Sequence, residues 1–279
     1  MVLTMRGLAE FVMKGRKQAI MAVLLLGLIP LVNFLSPVVV GLVVLRKGLN
    51  EATRVLVWAI LPIGGWAMAG DPVPLIMLLG ITGLAGLLRA TESWEYTLLG
   101  AIAVGVCVEI YLRLQPAVLD LIFFQMQPYF DANGIQGEQL DSLRNVMTSF
   151  MGAIYMFLAI VLLMLARWMQ AALYNPGGFQ KEFHGLRVEQ KAGLFLVSLM
   201  MLANFEILIP QSWMLYLVLP LMFSGLALIH AVVAAKKLSG LWLAVLYAVI
   251  VLPIIANMIV LLALLDSWYD FRTRLQKPA

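Results

Sequence analysis

Apolar runs long enough to cross a bilayer recur from residue 19 to residue 265. At about 1.5 Å rise per residue, roughly 20 such residues span the ~30 Å hydrocarbon core. Repetition of these runs predicts an all-α fold, a polytopic helical membrane bundle with roughly eight or nine transmembrane or broken helices. Composition points the same way. The chain is 63% hydrophobic and only 12% charged, whereas soluble domains carry about 25% charged residues to cover their surface. The formal net charge of +4 is read as loop charge that sets membrane topology, not as a nucleic-acid footprint, so no nucleic-acid partner is expected. The lone Cys107 excludes an intrachain disulfide and a CxxC redox pair.

Residues 1–18 place Leu8, Phe11 and Val12 among Arg6, Glu10, Lys14 and Arg16, the pattern of an interfacial amphipathic helix. A membrane bundle over residues 19–173 follows. Its first run, 19–45, is too long for one simple span and is interrupted at Asn33, Ser36 and Pro37, which predicts two short helices. Further spans are expected near 53–68, 73–88, 96–112 and 148–169. An amphipathic external loop at 114–147 interrupts them. A turn-rich loop over 174–190, C-terminal spans near 192–209, 213–235 and 241–265 within residues 191–268, and a tail at 269–279 complete the chain. Basic clusters at Arg46, Lys47 and Arg54, at Lys181, Arg187 and Lys191, and at Lys236 and Lys237 then assign one face to the cytoplasm. A final helix broken at Pro253 and Asn257 would return the tail to that same face.

Ionisable groups inside apolar runs are costly, and each is a site candidate. Glu109 is one, although Arg113, one turn later, can pair with it. Glu206 has no basic neighbour in sequence and, with Asn204, is the stronger candidate for contacting a substrate. His230 is expected to bond to another helix. Gly80, Gly83, Gly86, Gly100 and Gly105 suit close helix contact. No phosphate-binding Gly-Lys loop, HExxH or GxSxG motif occurs, so the chain is not expected to be an enzyme, and no catalytic residue, metal ligand or cofactor is assigned.

The run ARWMQAALYNPGGFQKEF at 166–183, the terminal DSWYDFRTR at 266–274 and the LRKG turn at 45–48 resemble the YybS-like family of multi-pass bacterial membrane proteins, and the resemblance covers most of the chain. That family is itself distantly similar to the S-components of energy-coupling factor transporters. Those are six-helix membrane proteins that bind vitamins or metal ions and depend on a separate energising module. The resemblance implies an S-component-like first half and a bacterial inner-membrane location. The segments after Leu173 have no counterpart in a six-helix S-component.

Two functions compete on these grounds. One is binding or transport of a small solute between the helices, with Glu206, Asn204 and Glu109 as candidate contacts. The other is a non-catalytic scaffold that recruits a membrane or cytoplasmic protein. Its candidate contacts are Arg167, the NPGGF residues Asn175, Gly177, Gly178 and Phe179, and Asp266, Asp270 and Arg272. The lipid bilayer is the partner common to both.

Overall fold

The computed structural model describes residues 2–276, with side chains described except at 2–4, 118 and 274–276. The end of the expected tail, from Lys277 on, and the side chain of Arg274 lie outside the described residues. The described chain is helical throughout, as the repeated apolar runs require. In chain order the helices are α1 (Val2–Met13), α2 (Arg16–Leu28), α3 (Leu35–Lys47), α4 (Leu49–Met68), α5 (Val73–Thr91), α6 (Trp94–Leu114) and α7 (Ala117–Ala132). There follow α8 (Glu138–Tyr174), α9 (Gly178–Gly185), α10 (Gln190–Asn204), a 3-10 turn (Gln211–Trp213), α11 (Met214–Ala235), α12 (Leu241–Val249), α13 (Pro253–Tyr269) and α14 (Phe271–Gln276). The expected spans fall on helices, although α10 stops at Asn204, short of residue 209. Four described helices are long and apolar enough to cross a membrane: α5, α6, α8, and α11 with its 3-10 turn. The α12–α13 pair, bent by 116°, makes a fifth if counted as one span. Helices suit this role because each satisfies its backbone polar groups internally where no water can.

The interruption expected at Asn33, Ser36 and Pro37 lies earlier, between α2 and α3: Asn33 falls in it, but Ser36 and Pro37 belong to the first turn of α3, where a proline is tolerated. Pro30 forces Ile29 to extended angles (φ −93°, ψ 120°), since the ring of a proline disfavours the helical conformation of the residue before it. The 13 residues of α3 reach only about 20 Å, two thirds of a bilayer core. Every residue from Ser36 to Leu45 is buried. A helix that is apolar all round belongs in the interior, and α3 is the central post around which α2, α4, α5 and α8 pack. At Gly41 the methyl groups of Ala166 and Ala85 and the side chain of Ile81 close in, so small residues on three helices set how near the post its neighbours stand.

The α12–α13 break has the same cause. Leu252 is extended (φ −74°, ψ 125°) ahead of Pro253, which opens α13, the helical position where a missing N–H costs nothing. α8 is the other length anomaly. Its 37 residues extend about 55 Å, so its first turns project beyond the apolar layer. There Arg144 pairs with Asp120 of α7 and lies over the Phe123 ring. The expected external loop is thus a helical hairpin. α1 buries Ala9 and Val12 in the larger core and leaves Arg6 and Glu10 paired at the surface.

Two apolar cores result. The larger joins α1 to α6 with α8, and the smaller joins α10, α11 and α13 through Leu196, Leu217, Leu221, Val260 and Ala263. α11 belongs to both, because Tyr216, Phe223 and Ala227 face the larger core.

Candidate functional site

The ends of the bundle carry its polar chemistry. At the end where α6 finishes and α11 begins, Glu109 is 1% exposed, and a carboxylate that deep must be compensated to persist as a charge. Its Oε1 accepts from Arg113 Nε (2.9 Å) and Nη2 (2.7 Å), from Ser149 Oγ (3.0 Å) and from Trp213 Nε1 (3.1 Å). Its Oε2 accepts from Tyr216 Oη at 2.8 Å. With its one proton given to Glu109, Ser149 Oγ accepts from Ser212 Oγ at 2.9 Å, and Arg113 Nη1 donates to Asn145 Oδ1 at 3.0 Å. One carboxylate therefore ties α6, α8 and α11 together. Tyr216, 0% exposed, reaches it through a slot made by two glycines. A Cβ on Gly152 would lie 1.9 Å from Tyr216 Oη, and one on Gly105 would lie 2.6 Å from Tyr216 Cε1. This is a satisfied structural hub. Sequence reasoning found Glu109 and Arg113 but missed Tyr216, Ser149 and Gly152, whose only signal was a tyrosine one turn into an otherwise apolar span.

Asn204 and Glu206 are not brought to this hub's carboxylate. Both are exposed, Asn204 as the last residue of α10 and Glu206 on the connection that leads to the 3-10 turn, and Glu206 sits at a positive φ of 55°.

The opposite end holds the large cavity, of about 970 Å³. Arg46, Arg89, Arg167 and Arg187 line it together with Glu92, Glu95, Glu182 and Glu189. Its floor is the C-terminus of α3, where unpaired carbonyls carry the negative end of the helix dipole. Arg89 Nη1 donates to Leu45 O (2.6 Å) and Val44 O (3.3 Å), and Gln170 Nε2 donates to Leu45 O at 3.1 Å. Arg167 makes a two-pronged pair with Glu182 (2.8 and 2.6 Å), which fastens α9 beneath α8. The remaining charges are less committed. Arg46 stacks on the Tyr174 ring at 3.8 Å, and among the described residues neither it nor Arg89 has a carboxylate partner. Glu92 and Glu189 likewise have no cation among the described residues, and Glu95 accepts the backbone N–H of Glu189.

The NPGGF residues shape this end. Gly177 takes a φ of 81°, which the missing Cβ permits. Gly178 is buried so close to Asn175 that a Cβ would meet its Nδ2 at 2.2 Å. Phe179 stacks on Phe183 and packs on the larger core, while Asn175, Pro176 and Gly177 stay exposed.

The DSWYDFRTR run forms a clamp beside the cavity. Arg272 donates to the carbonyls of His184 (3.1 Å), Leu186 and Ser224 (3.0 Å). Its Nε stands 3.2 Å from Asp266 Oδ2, close enough for Coulomb attraction but too poorly aligned for a hydrogen bond. Asp266 is 0% exposed and accepts the N–H of Phe271 at 2.9 Å. Asp270 pairs with Arg187 at 2.9 Å. The hydroxyl of Thr273, then its backbone N–H and Arg187, hold the Asp270 carboxyl below its ordinary range. The tail therefore lies on the same face as the 186–189 loop, as the broken last helix led one to expect. Asp266 and Arg272 spend their polar atoms inside the protein, and Asp270 stands at the rim.

Among the described residues no group of three or more His, Cys, Asp or Glu side chains is placed to hold a metal ion. No family model, no curated protein and no solved structure matches this chain.

Proposed function

We propose that this is a multi-pass protein of the bacterial inner membrane, related to the YybS-like family, that binds a small polar solute in the cavity at its arginine-rich end. The observation that carries the reading is the cavity itself. At about 970 Å³ it lies at the upper end of small-molecule sites, and it offers groups of both signs that have no ion-pair partner among the described residues. Arg46 and Arg89 lie at the α3 end, and Glu92 and Glu189 are free to accept. A solute with separated positive and negative groups suits that lining. Clustering of Arg46, Lys47, Lys181, Lys236 and Lys237 at this end supports a cytoplasmic orientation. The Glu109 hub is the structural counterweight at the other end, and Asn204 and Glu206 remain candidates for first contact on that outer face.

The test is purification in mild detergent followed by mass spectrometry of retained small molecules. A stoichiometric solute that disappears in Arg46→Gln and Glu92→Gln variants is expected. Retention of the same solute by both variants, or no solute at all, counts against the reading. The exposed Asn175, Pro176 and Gly177 favour one competitor, a recruited protein that docks on this rim. It would appear as a co-purifying polypeptide lost on altering those residues, with solute content unchanged.

A further inference from the structure

α12 is the least integrated apolar helix of the C-terminal half. None of its nine residues is buried, and Leu241, Trp242 and Val245 are exposed. A hydrogen bond between Tyr247 Oη and His230 Nε2 on α11, 2.9 Å long, helps hold it in place. Because Pro253 turns the chain by 116°, α12 leans away from α11 and α13 and leaves a groove of about 720 Å³ between them. Leu228, Val232, Trp242, Val245, Leu262 and Phe271 line it, and no charged side chain does.

The groove has a charged end. On α11 the lining positions Leu228 and Val232 continue one turn further to Lys236, and Lys237 follows at a positive φ of 51°. Both lysines are exposed, and among the described residues neither has a carboxylate partner. From Leu228 to Lys236 the helix advances about 12 Å, close to the ~15 Å depth of one leaflet's hydrocarbon. A deep apolar trough of one-leaflet depth, capped by two free ammonium groups at the membrane face, matches the shape and charge of one kind of molecule.

We propose that the α11–α12–α13 groove is a binding site for an anionic phospholipid, its acyl chains lying between α12 and α11 and its phosphate held by Lys236 and Lys237. A neutral phospholipid gains the same apolar contacts but lacks the net charge that the lysines attract. Juxtamembrane lysines favour anionic lipid by roughly fivefold each, so head-group selectivity resides in this pair and chain retention resides in the groove.

Native mass spectrometry of the purified full chain, titrated with equal amounts of phosphatidylglycerol and phosphatidylcholine of identical chains, tests both parts. Preferential retention of one phosphatidylglycerol is expected. The K236Q/K237Q variant should lower the ratio of the two bound lipids by about 25-fold. Val245→Trp, which fills the groove, should abolish retention of either. Equal retention by the native chain, an unchanged ratio in K236Q/K237Q, or undiminished retention in Val245→Trp each overturns the proposal. Should Val245→Trp fail to fold, quenching of the native chain's fluorescence by bromine-labelled phosphatidylglycerol decides instead. A share of that quenching must vanish in Trp242→Phe, and unchanged quenching refutes the site.

Discussion

Gly152→Ala pits two physical effects of opposite sign against each other. Intrinsic helix propensity favours alanine by about 0.8–1 kcal/mol at an interior helical position, and Gly152 lies well inside α8. Packing opposes it, because the added Cβ would stand 1.9 Å from Tyr216 Oη and 2.8 Å from the carbonyl oxygen of Gly105. Tyr216 is fully buried and has no open space to enter, so it must leave the slot and release its hydrogen bond to Glu109 Oε2. Overpacking costs about 1–3 kcal/mol. Stranding a buried carboxylate oxygen adds about 1–3 kcal/mol. After the propensity gain, a net loss of about 1–5 kcal/mol remains. At roughly 2–4 °C per kcal/mol for a chain of this size, the unfolding midpoint in detergent, followed by size-exclusion chromatography after heating, should fall by several degrees. Gly83→Ala is the matched control. Nothing lies within 4 Å of its would-be Cβ, so the propensity term stands alone and the midpoint should hold or rise. In a Tyr216→Phe background, Gly152→Ala should cost less than in the native chain, since the atom in closest conflict is gone. A Gly152→Ala midpoint at or above the native value would refute the slot. Equal losses at Gly83 and Gly152 would do the same.

Three further outcomes are expected. Arg272→Met leaves the buried Asp266 carboxylate without its cation and should cost about 3–5 kcal/mol, seen as early proteolysis of the C-terminus. Adding Asp266→Asn should recover part of that loss, and no recovery would dissociate the two residues. Burial, and next the charge of Arg272, push His184 below its ordinary value of 6.5, so the unfolded chain takes up that proton first as pH falls. The corresponding stability is complete above about pH 6.5 and declines below it, whereas Asp270, held below its ordinary 3.8, contributes stability above about pH 4 that is lost as pH drops through its lowered value. A His184→Gln chain that keeps the full decline between pH 6.5 and 5 in a thermal-shift series would contradict the first assignment. Lastly, Glu109→Gln places an amide among donors and should destabilise by about 1–3 kcal/mol, while Glu206→Gln, at an exposed turn, should stay within about 0.5 kcal/mol. Comparable midpoint losses in the two variants would show that Glu206 is more deeply engaged than its exposure implies.

The sequence by itself determined the helices, because apolar runs of spanning length have few other ways to satisfy their backbones. It also placed the second break, since Pro253 acts on the residue immediately before it, whereas the first break, expected at Asn33, Ser36 and Pro37, opens before Pro30 instead. The Glu109–Arg113 pair was legible from a spacing of four. Only the tertiary structure decided which polar residues converge. Glu109 meets Tyr216 across 107 positions of chain and Ser149 across 40, and no local pattern encodes such a meeting. It depends on Gly105 and Gly152 letting two helices close around a ring from a third. The cavity was hidden for the same reason, as its walls come from the ends of α3, α5 and α8 and from the 186–189 loop. Arg46 and Arg187 read as topology signals and Arg167 as a partner contact, until the fold brought them with Arg89 around one cavity. Asn204 and Glu206 show the converse. A carboxylate near a helix end looks the same in sequence whether it turns inward or to solvent, and the turn after α10 turned it out.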